Sequence, residues 1–195
     1  GMEGALTAPF DTELFGHWWF EGCQWIFRLL QKMSKDKEIS PATCSEYLED
    51  FPYGEIIALP EGSWGEGGFH YIWLNEQTDW TWKKIYNAEE RFIDLVKRWH
   101  SKGNRAAERV LKQAGRELLL LESSDWQFLI TTWSARDYAE ERVGFHYDNF
   151  QKLCSLTEEI EERGEFTEEG EGFLCSCEEK DSIFSEIDLN WWLGA

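Results

Sequence analysis

Between Thr78 and about Arg163, apolar residues recur at three- and four-residue steps, which is the period of helices that each bury one face. The spacing predicts a long helix from Thr78 as cap to about Lys102, with Trp82, Ile85, Ala88, Phe92, Leu95, Val96 and Trp99 as its inner stripe. Gly103 supplies a stop and Asn104 a second cap, so a helical hairpin into Ala106 to Leu121 follows. Ser123-Ser124-Asp125 reads as the cap of a segment through Trp126, Phe128, Leu129, Ile130 and Trp133. Ser134 with Asp137 resembles a capping box that opens a helix from Ala135 to about Arg163, through Tyr138, Val143, Tyr147, Phe150, Leu153 and Leu156. Helices of this length can cover one another's stripes only as a bundle.

The flanks are less regular. Residues up to about Asp11 read as extended, because Pro9 disfavours a helix. Trp18, Phe20, Trp25, Ile26, Leu29, Leu30 and Met33 share the helical period and predict a buried helix with Arg28 and Lys32 outside. Ser40-Pro41 reads as a cap and first residue of a short helix to about Phe51, ended by Pro52 and Gly54. Residues 54–77 hold Pro60 and several glycines and form a loop, with Ile56 and Ile57 in a short extended piece. Spacing alone leaves this loop open between a plain connector and a place where a ligand approaches the backbone. From Gly164 the chain is acidic and glycine-rich and reads as a mobile loop, with Phe184, Ile187, Trp191 and Trp192 docking back on the bundle.

Composition narrows the partners. The 195 residues carry a net charge of −19, which repels nucleic-acid backbones and anionic membrane surfaces but is compatible with a neutral polymer. Twelve tryptophans suit either a Trp-rich core or a sugar-binding surface. Five cysteines, an odd number without regular spacing, point to free thiols in a reducing cytoplasm. Cys175-Ser176-Cys177 is too closely spaced for the usual metal motifs, and no metal or cofactor is expected. Gly1 before Met2 reads as an expression scar.

One stretch concentrates chemistry: Phe10-Asp11-Thr12-Glu13-Leu14-Phe15-Gly16-His17-Trp18-Trp19-Phe20-Glu21-Gly22. Glycosidic bonds are broken or transferred by paired carboxyl groups, and pyranose rings stack on aromatic faces, so acids among aromatic rings suit sugar chemistry. Blander roles are open too: Asp11 as a turn or helix-cap carboxylate, and His17 as a satisfied buried histidine. Trp18 and Trp19, if helical, point about 100° apart, one to a core and one to a cleft. Trp80 and Trp82 read as packing at a helix start.

This string resembles a motif of glycoside hydrolase family 57, especially its glucan branching enzymes. The resemblance extends through Gly62-Ser63-Trp64-Gly65-Glu66-Gly67-Gly68, Tyr71-Ile72-Trp73-Leu74-Asn75, Asp79-Trp80-Thr81-Trp82, residues 118–130 and Ile187-Asp188-Leu189-Asn190-Trp191-Trp192. It implies a mainly α fold, a helical bundle like that family's C-terminal domain, with a short extended N-terminal segment and a Gly-rich loop. On it, residues 1–17 are the end of a catalytic barrel, 18–163 the bundle with its loop 54–77, and 164–195 an acidic loop and docking segment. Asp11 then takes the acid/base role, Glu13 and His17 orient it or bind sugar hydroxyls, and Trp18, Trp64 and Trp73 contact an α-glucan. The family's nucleophilic Glu belongs to an earlier part of a (β/α)7 barrel, for which 195 residues leave no room.

Three functions follow as expectations. The chain is the C-terminal portion of a branching enzyme or amylase-like hydrolase, silent without a barrel-bearing partner chain. Alternatively it is a stand-alone module that binds maltooligosaccharide, glycogen or amylose-like α-glucan. The third is a helical interaction protein or inactive remnant that hides its orphan surface by self-association.

Overall fold

The computed structural model describes residues 4–16, 18–51, 54, 56–99 and 102–194. It divides into two compact units, Gly1–Pro60 and Glu61–Ala195, with the boundary inside the Gly-rich stretch of residues 54–77.

The larger unit is a helical bundle, as the periodicity predicts. Its helices are α3 (Asp79–Trp99), α4 (Arg105–Leu121), α5 (Asp125–Thr132), α6 (Arg136–Arg163) and α7 (Glu168–Lys180), preceded in the smaller unit by α1 (Gly22–Met33) and α2 (Cys44–Asp50). α4 lies at the centre and packs chiefly on α6, with α3 and α5 completing the layer. Ile85, Ala88, Phe92, Leu95, Val96 and Trp99 of α3 are all buried, and they face Val110, Leu111, Ala114, Leu118 and Leu121 of α4. Phe92 is the hinge of this packing, edge-on to Phe150 of α6 at 6.1 Å and to Trp192 at 5.0 Å. Burying a side chain of that size stabilises the fold by about 2–3 kcal/mol.

Local signals set the ends of these helices, not always where the sequence suggests. Asn104 Oδ1 accepts from the backbone N–H groups of Ala106 and Ala107 at 2.9 and 3.1 Å, the expected cap of α4. Thr78 precedes α3, but its hydroxyl donates to the Trp73 carbonyl and accepts from Asn75 N, so it ties down the loop instead. Ser124 makes no side-chain cap, its backbone being helical rather than extended, and its neighbour Ser123 donates Oγ–H to the Asp125 carboxylate. Ser134 forms no capping box either, since its hydroxyl pairs with Thr132 Oγ1 and the residue before α6 is Ala135. α2 starts three residues later than Pro41 indicates, behind a Thr43–Glu46 capping box that holds the Glu46 carboxyl below its ordinary range. Pro52 lies outside the described residues.

Two expectations need larger corrections. The acidic stretch after Gly164 is not a loop: Gly164 turns the chain at φ 84°, and Thr167 then caps α7 by accepting from Gly170 N at 3.0 Å. Glu168, Glu169 and Glu171 lie in the first turn and Lys180 in the last, where each charge complements the helix dipole. Arg109 fastens α7 to α4 through Glu178, and Arg116 donates to the carbonyls of Ile183 and Phe184. Of the docking aromatics, Trp192 packs on the core while Phe184 and Trp191 stay exposed.

The smaller unit departs further from expectation. α1 begins at Gly22, so Trp18, Trp19 and Phe20 precede the helix rather than ride on it. Among the described residues of this unit only Gly22 is buried, and Trp18 and Phe20 are 75% and 83% exposed. The amphipathic period of α1 is thus present without the burial it suggests.

Candidate functional site

The N-terminal motif folds onto α1 through aromatic rings. Phe15 sits at the middle, 5.7 Å from Phe10, 6.0 Å from Trp19 and 6.3 Å from Trp25, to which it is nearly parallel. Gly22 permits this approach: a Cβ there would come within 2.8 Å of Phe15 Cα. The backbone closes the turn with Gly16 N donating to Trp19 O and Trp19 N to Leu14 O, both at 2.9 Å. Cys23 Sγ donates to the Phe15 carbonyl at 3.2 Å.

Asp11 ends the extended segment and precedes a 3₁₀ turn over Thr12–Leu14. Its carbonyl accepts from Leu14 N, while its carboxylate makes no cap bond and is exposed. Phe10, clamped against Phe15 and Trp25, anchors the residue immediately before Asp11. Glu13 is exposed on the turn, and Trp18 lies beyond it. His17 lies outside the described residues.

The second group of predicted residues belongs wholly to the larger unit. Residues 61–78 form a looped platform built on two 3₁₀ turns, Glu66–Gly68 and His70–Ile72. Trp64 is 72% exposed, while Trp73 is half-buried beneath it at 6.3 Å and 62°. Phe128 of α5 supports Trp64 from another side at 5.8 Å. Gly65 is buried in the bend, and a Cβ there would meet the Phe69 carbonyl at 2.8 Å. Trp82 Nε1 donates to the Trp73 carbonyl at 2.8 Å and Trp80 Nε1 to the Gln77 carbonyl at 3.0 Å, so both indoles pack at the start of α3. The structure thus brings Trp64 and Trp73 together on one surface.

Sequence reasoning missed a buried polar cluster in the bundle. His146 Nδ1 donates to Glu117 at 2.8 Å with both side chains fully buried, and Arg142 donates to His146 Nε2 at 2.6 Å. A guanidinium can only donate, so Nε2 is the accepting nitrogen of the ring and Nδ1 the one that donates to Glu117. Asp181, its side chain 10% exposed, lies 3.7 Å from Arg142, and Gln113 donates to both Glu117 and the Asp181 carbonyl. Ligating atoms of Glu117, His146 and Asp181 fall within 4.8 Å of one another, close enough to hold a cation. Both imidazole nitrogens are already engaged, however, so the group reads as an ion-paired network joining α4, α6 and the end of α7. Two i, i+4 spacings, Gln113 with Glu117 and Arg142 with His146, hint at it in the sequence.

A cleft of about 340 Å³ opens between the α3–α4 turn and the C-terminal segment, lined by Trp99, Asn104, Glu108, Leu111 and Asn190 among others. None of the sequence-predicted site residues lines it. Burial raises the Cys154 and Cys177 thiols to about 12.

Residues 84–192 match the family model described as 1,4-alpha-glucan branching enzyme, C-terminal. The chain belongs to this family. It is 43% identical over 96% of its length to a 1,4-alpha-glucan branching enzyme of Thermococcus kodakarensis, of which it covers 27%. Among solved structures it resembles a GH57-type branching enzyme of Pyrococcus horikoshii, at a TM-score of 0.77 and 44% identity, covering 96% of this chain and 34% of that one. The alpha-amylase AmyC of Thermotoga maritima is similar as well, at a TM-score of 0.66 and 34% identity, over 96% of this chain and 33% of that chain. The chain therefore spans about a third or less of these relatives' length. The family's C-terminal bundle is what α3 to α7 build here, and no described helix is long and apolar enough to cross a membrane.

Proposed function

We propose that this chain supplies the C-terminal portion of a family 57 α-glucan branching activity, acting on glycogen or an amylose-like glucan in the cytoplasm. In this reading Asp11 is the acid/base, with Glu13 and His17 as supporting groups. Trp18, Trp64 and Trp73 bind the glucan chain. The nucleophilic carboxylate comes from a (β/α)7 barrel, and the 195 residues alone turn nothing over. The observation that carries the proposal is the 43% identity along 96% of this chain to a protein of which it covers only 27%. The open setting of Asp11 supports it. An exposed carboxylate on an extended segment lacks the water-excluding walls that a retaining transfer needs. The exposed rings of Trp18 and Phe20 offer apolar surface for a barrel to cover.

The test is transfer from α-1,4 to α-1,6 linkage on amylose. The chain alone is expected to be silent. Supplying the barrel portion of a relative is expected to restore transfer, and Asp11→Ala to remove it again. Turnover by the unmixed chain would overturn the proposal.

One observation favours a second reading, a stand-alone glucan-binding module. Trp64, Trp73 and Phe128 form a complete aromatic surface inside the larger unit, without any residue of the smaller one. Maltooligosaccharide would then shift the tryptophan fluorescence of the chain with no partner present.

A further inference from the structure

We infer that α5 is the positioning element of the Trp64–Trp73 surface, and that Thr131 and Phe128 set the geometry in which those rings meet a glucan. The inference rests on the reading of these two tryptophans as a sugar platform.

An exposed tryptophan has no core to fix its plane. A sugar stacks well only on a ring already held in the right orientation, because freezing it on binding subtracts from affinity. Trp64 is held by two neighbours, Trp73 and Phe128. Trp73 is in turn fixed through its backbone. Its own carbonyl accepts from Trp82 Nε1 at 2.8 Å and from Thr78 Oγ1 at 2.9 Å. On either side of it, one hydroxyl of α5 makes both remaining ties. Thr131 Oγ1 donates to the Ile72 carbonyl at 2.7 Å and accepts from Asn75 Nδ2 at 2.8 Å. Asn75 is pinned further, Nδ2 to the Tyr71 carbonyl and Oδ1 to Gln77 N.

The hydroxyl of Thr131 thus brackets Trp73, gripping the residue before it and the second residue after it. A hydroxyl has a single proton to donate, and here it goes to Ile72. Phe128 stands one helical turn earlier, so one face of α5 offers a hydrogen-bonding anchor for the loop and an apolar seat for Trp64. Both residues act through the tryptophans and are positioning residues rather than sugar contacts.

The experiment uses the full chain and maltoheptaose, with affinity read by calorimetry and ring order by near-ultraviolet circular dichroism. Trp64→Ala tests the platform reading itself and is expected to abolish binding. Thr131→Val keeps the side-chain shape but strands the Ile72 carbonyl and one N–H of the Asn75 amide. It should weaken binding about five- to tenfold, as expected for a lost hydrogen bond. The aromatic dichroism should fall while the thermal midpoint stays near that of the wild type. Thr131→Ser should restore both affinity and dichroism, and Phe128→Leu should weaken binding with its hydrogen bonds intact. If Trp64→Ala binds as the wild type does, or the wild type does not bind, the platform reading falls and takes this inference with it. If Trp64→Ala loses binding but Thr131→Val and Phe128→Leu do not, only the inference is overturned. A Thr131→Val chain that melts early and is not rescued by Thr131→Ser would also overturn it, because the residue would then be merely structural.

Discussion

The two units carry similar helical periodicity and use it in opposite ways. In α3 every residue of the predicted stripe from Ile85 to Trp99 is buried. In the smaller unit α1 buries only Gly22, and Phe27 and Leu30 stay exposed. The difference is one of partners. α3 has α4 and α6 to lie on, whereas α1 shares its unit with one other described helix, the short α2. Periodicity reports which face of a helix wants cover. It does not report whether cover exists.

Mutations that remove apolar volume should break this contrast most visibly. Phe92→Ala should destabilise the bundle by about 3–5 kcal/mol in urea unfolding, because it leaves a cavity beneath Phe150 and Trp192. Phe20→Ser, at an exposed ring of the smaller unit, should change the same transition by less than about 0.5 kcal/mol. Equal losses at the two sites would erase the distinction drawn here.

Cysteine chemistry sharpens the contrast on a different scale. Cys23 and Cys44 are exposed, whereas Cys154 and Cys177 are buried with thiols raised to about 12. Near neutral pH the buried pair should react with a thiol reagent slower by about a thousandfold, since only the thiolate attacks. Mass mapping of alkylated peptides from the native chain would check the order.

A smaller effect is expected from pH. Burial, reinforced by the nearby Glu89 carboxylate, pushes the Glu122 carboxyl up to about 7. Its folded value lies above its unfolded one, so its contribution to stability is full below about pH 4.5 and is lost as pH rises through 7. Glu122→Gln should therefore match the wild type near pH 4 and exceed it by about 1 kcal/mol near pH 8, after allowing for solvent screening of a half-exposed group. A variant less stable than the wild type at both values would contradict this.

The smallest expected effects concern caps. Asn104→Ala should cost the bundle about 1 kcal/mol, because α4 nucleates its central layer. Thr43→Ala removes an equally good cap, yet it should lower only local helix content around α2, leaving bundle unfolding unchanged. Amide exchange at α2 against α4 would separate the two outcomes.

Much of the bundle was legible because its signals are local. The stripes of α3, α4 and α6 and the Asn104 cap can be read from spacing alone. α7 was legible too, in Thr167, its following glutamates and Lys180, but the acidic composition concealed it. The Ser134 cap failed because its hydroxyl had a nearer side chain to bond, Thr132, and beside Ser124, which makes no side-chain cap, Ser123 donates to Asp125. Trp64 and Trp73, chosen from resemblance, lie 6.3 Å apart, and their support from Phe128 and Thr131 crosses more than fifty residues and leaves no periodic trace.

By itself the sequence determined that this chain makes helices and where most of them run, since these depend on neighbours a few residues apart. Only the tertiary structure decided which stripes are covered and how His146 is held between Glu117 and Arg142. It also decided that one hydroxyl of α5 grips the loop under Trp64. Burial and long-range hydrogen bonds depend on what lies across space, and that information is spread over the whole chain.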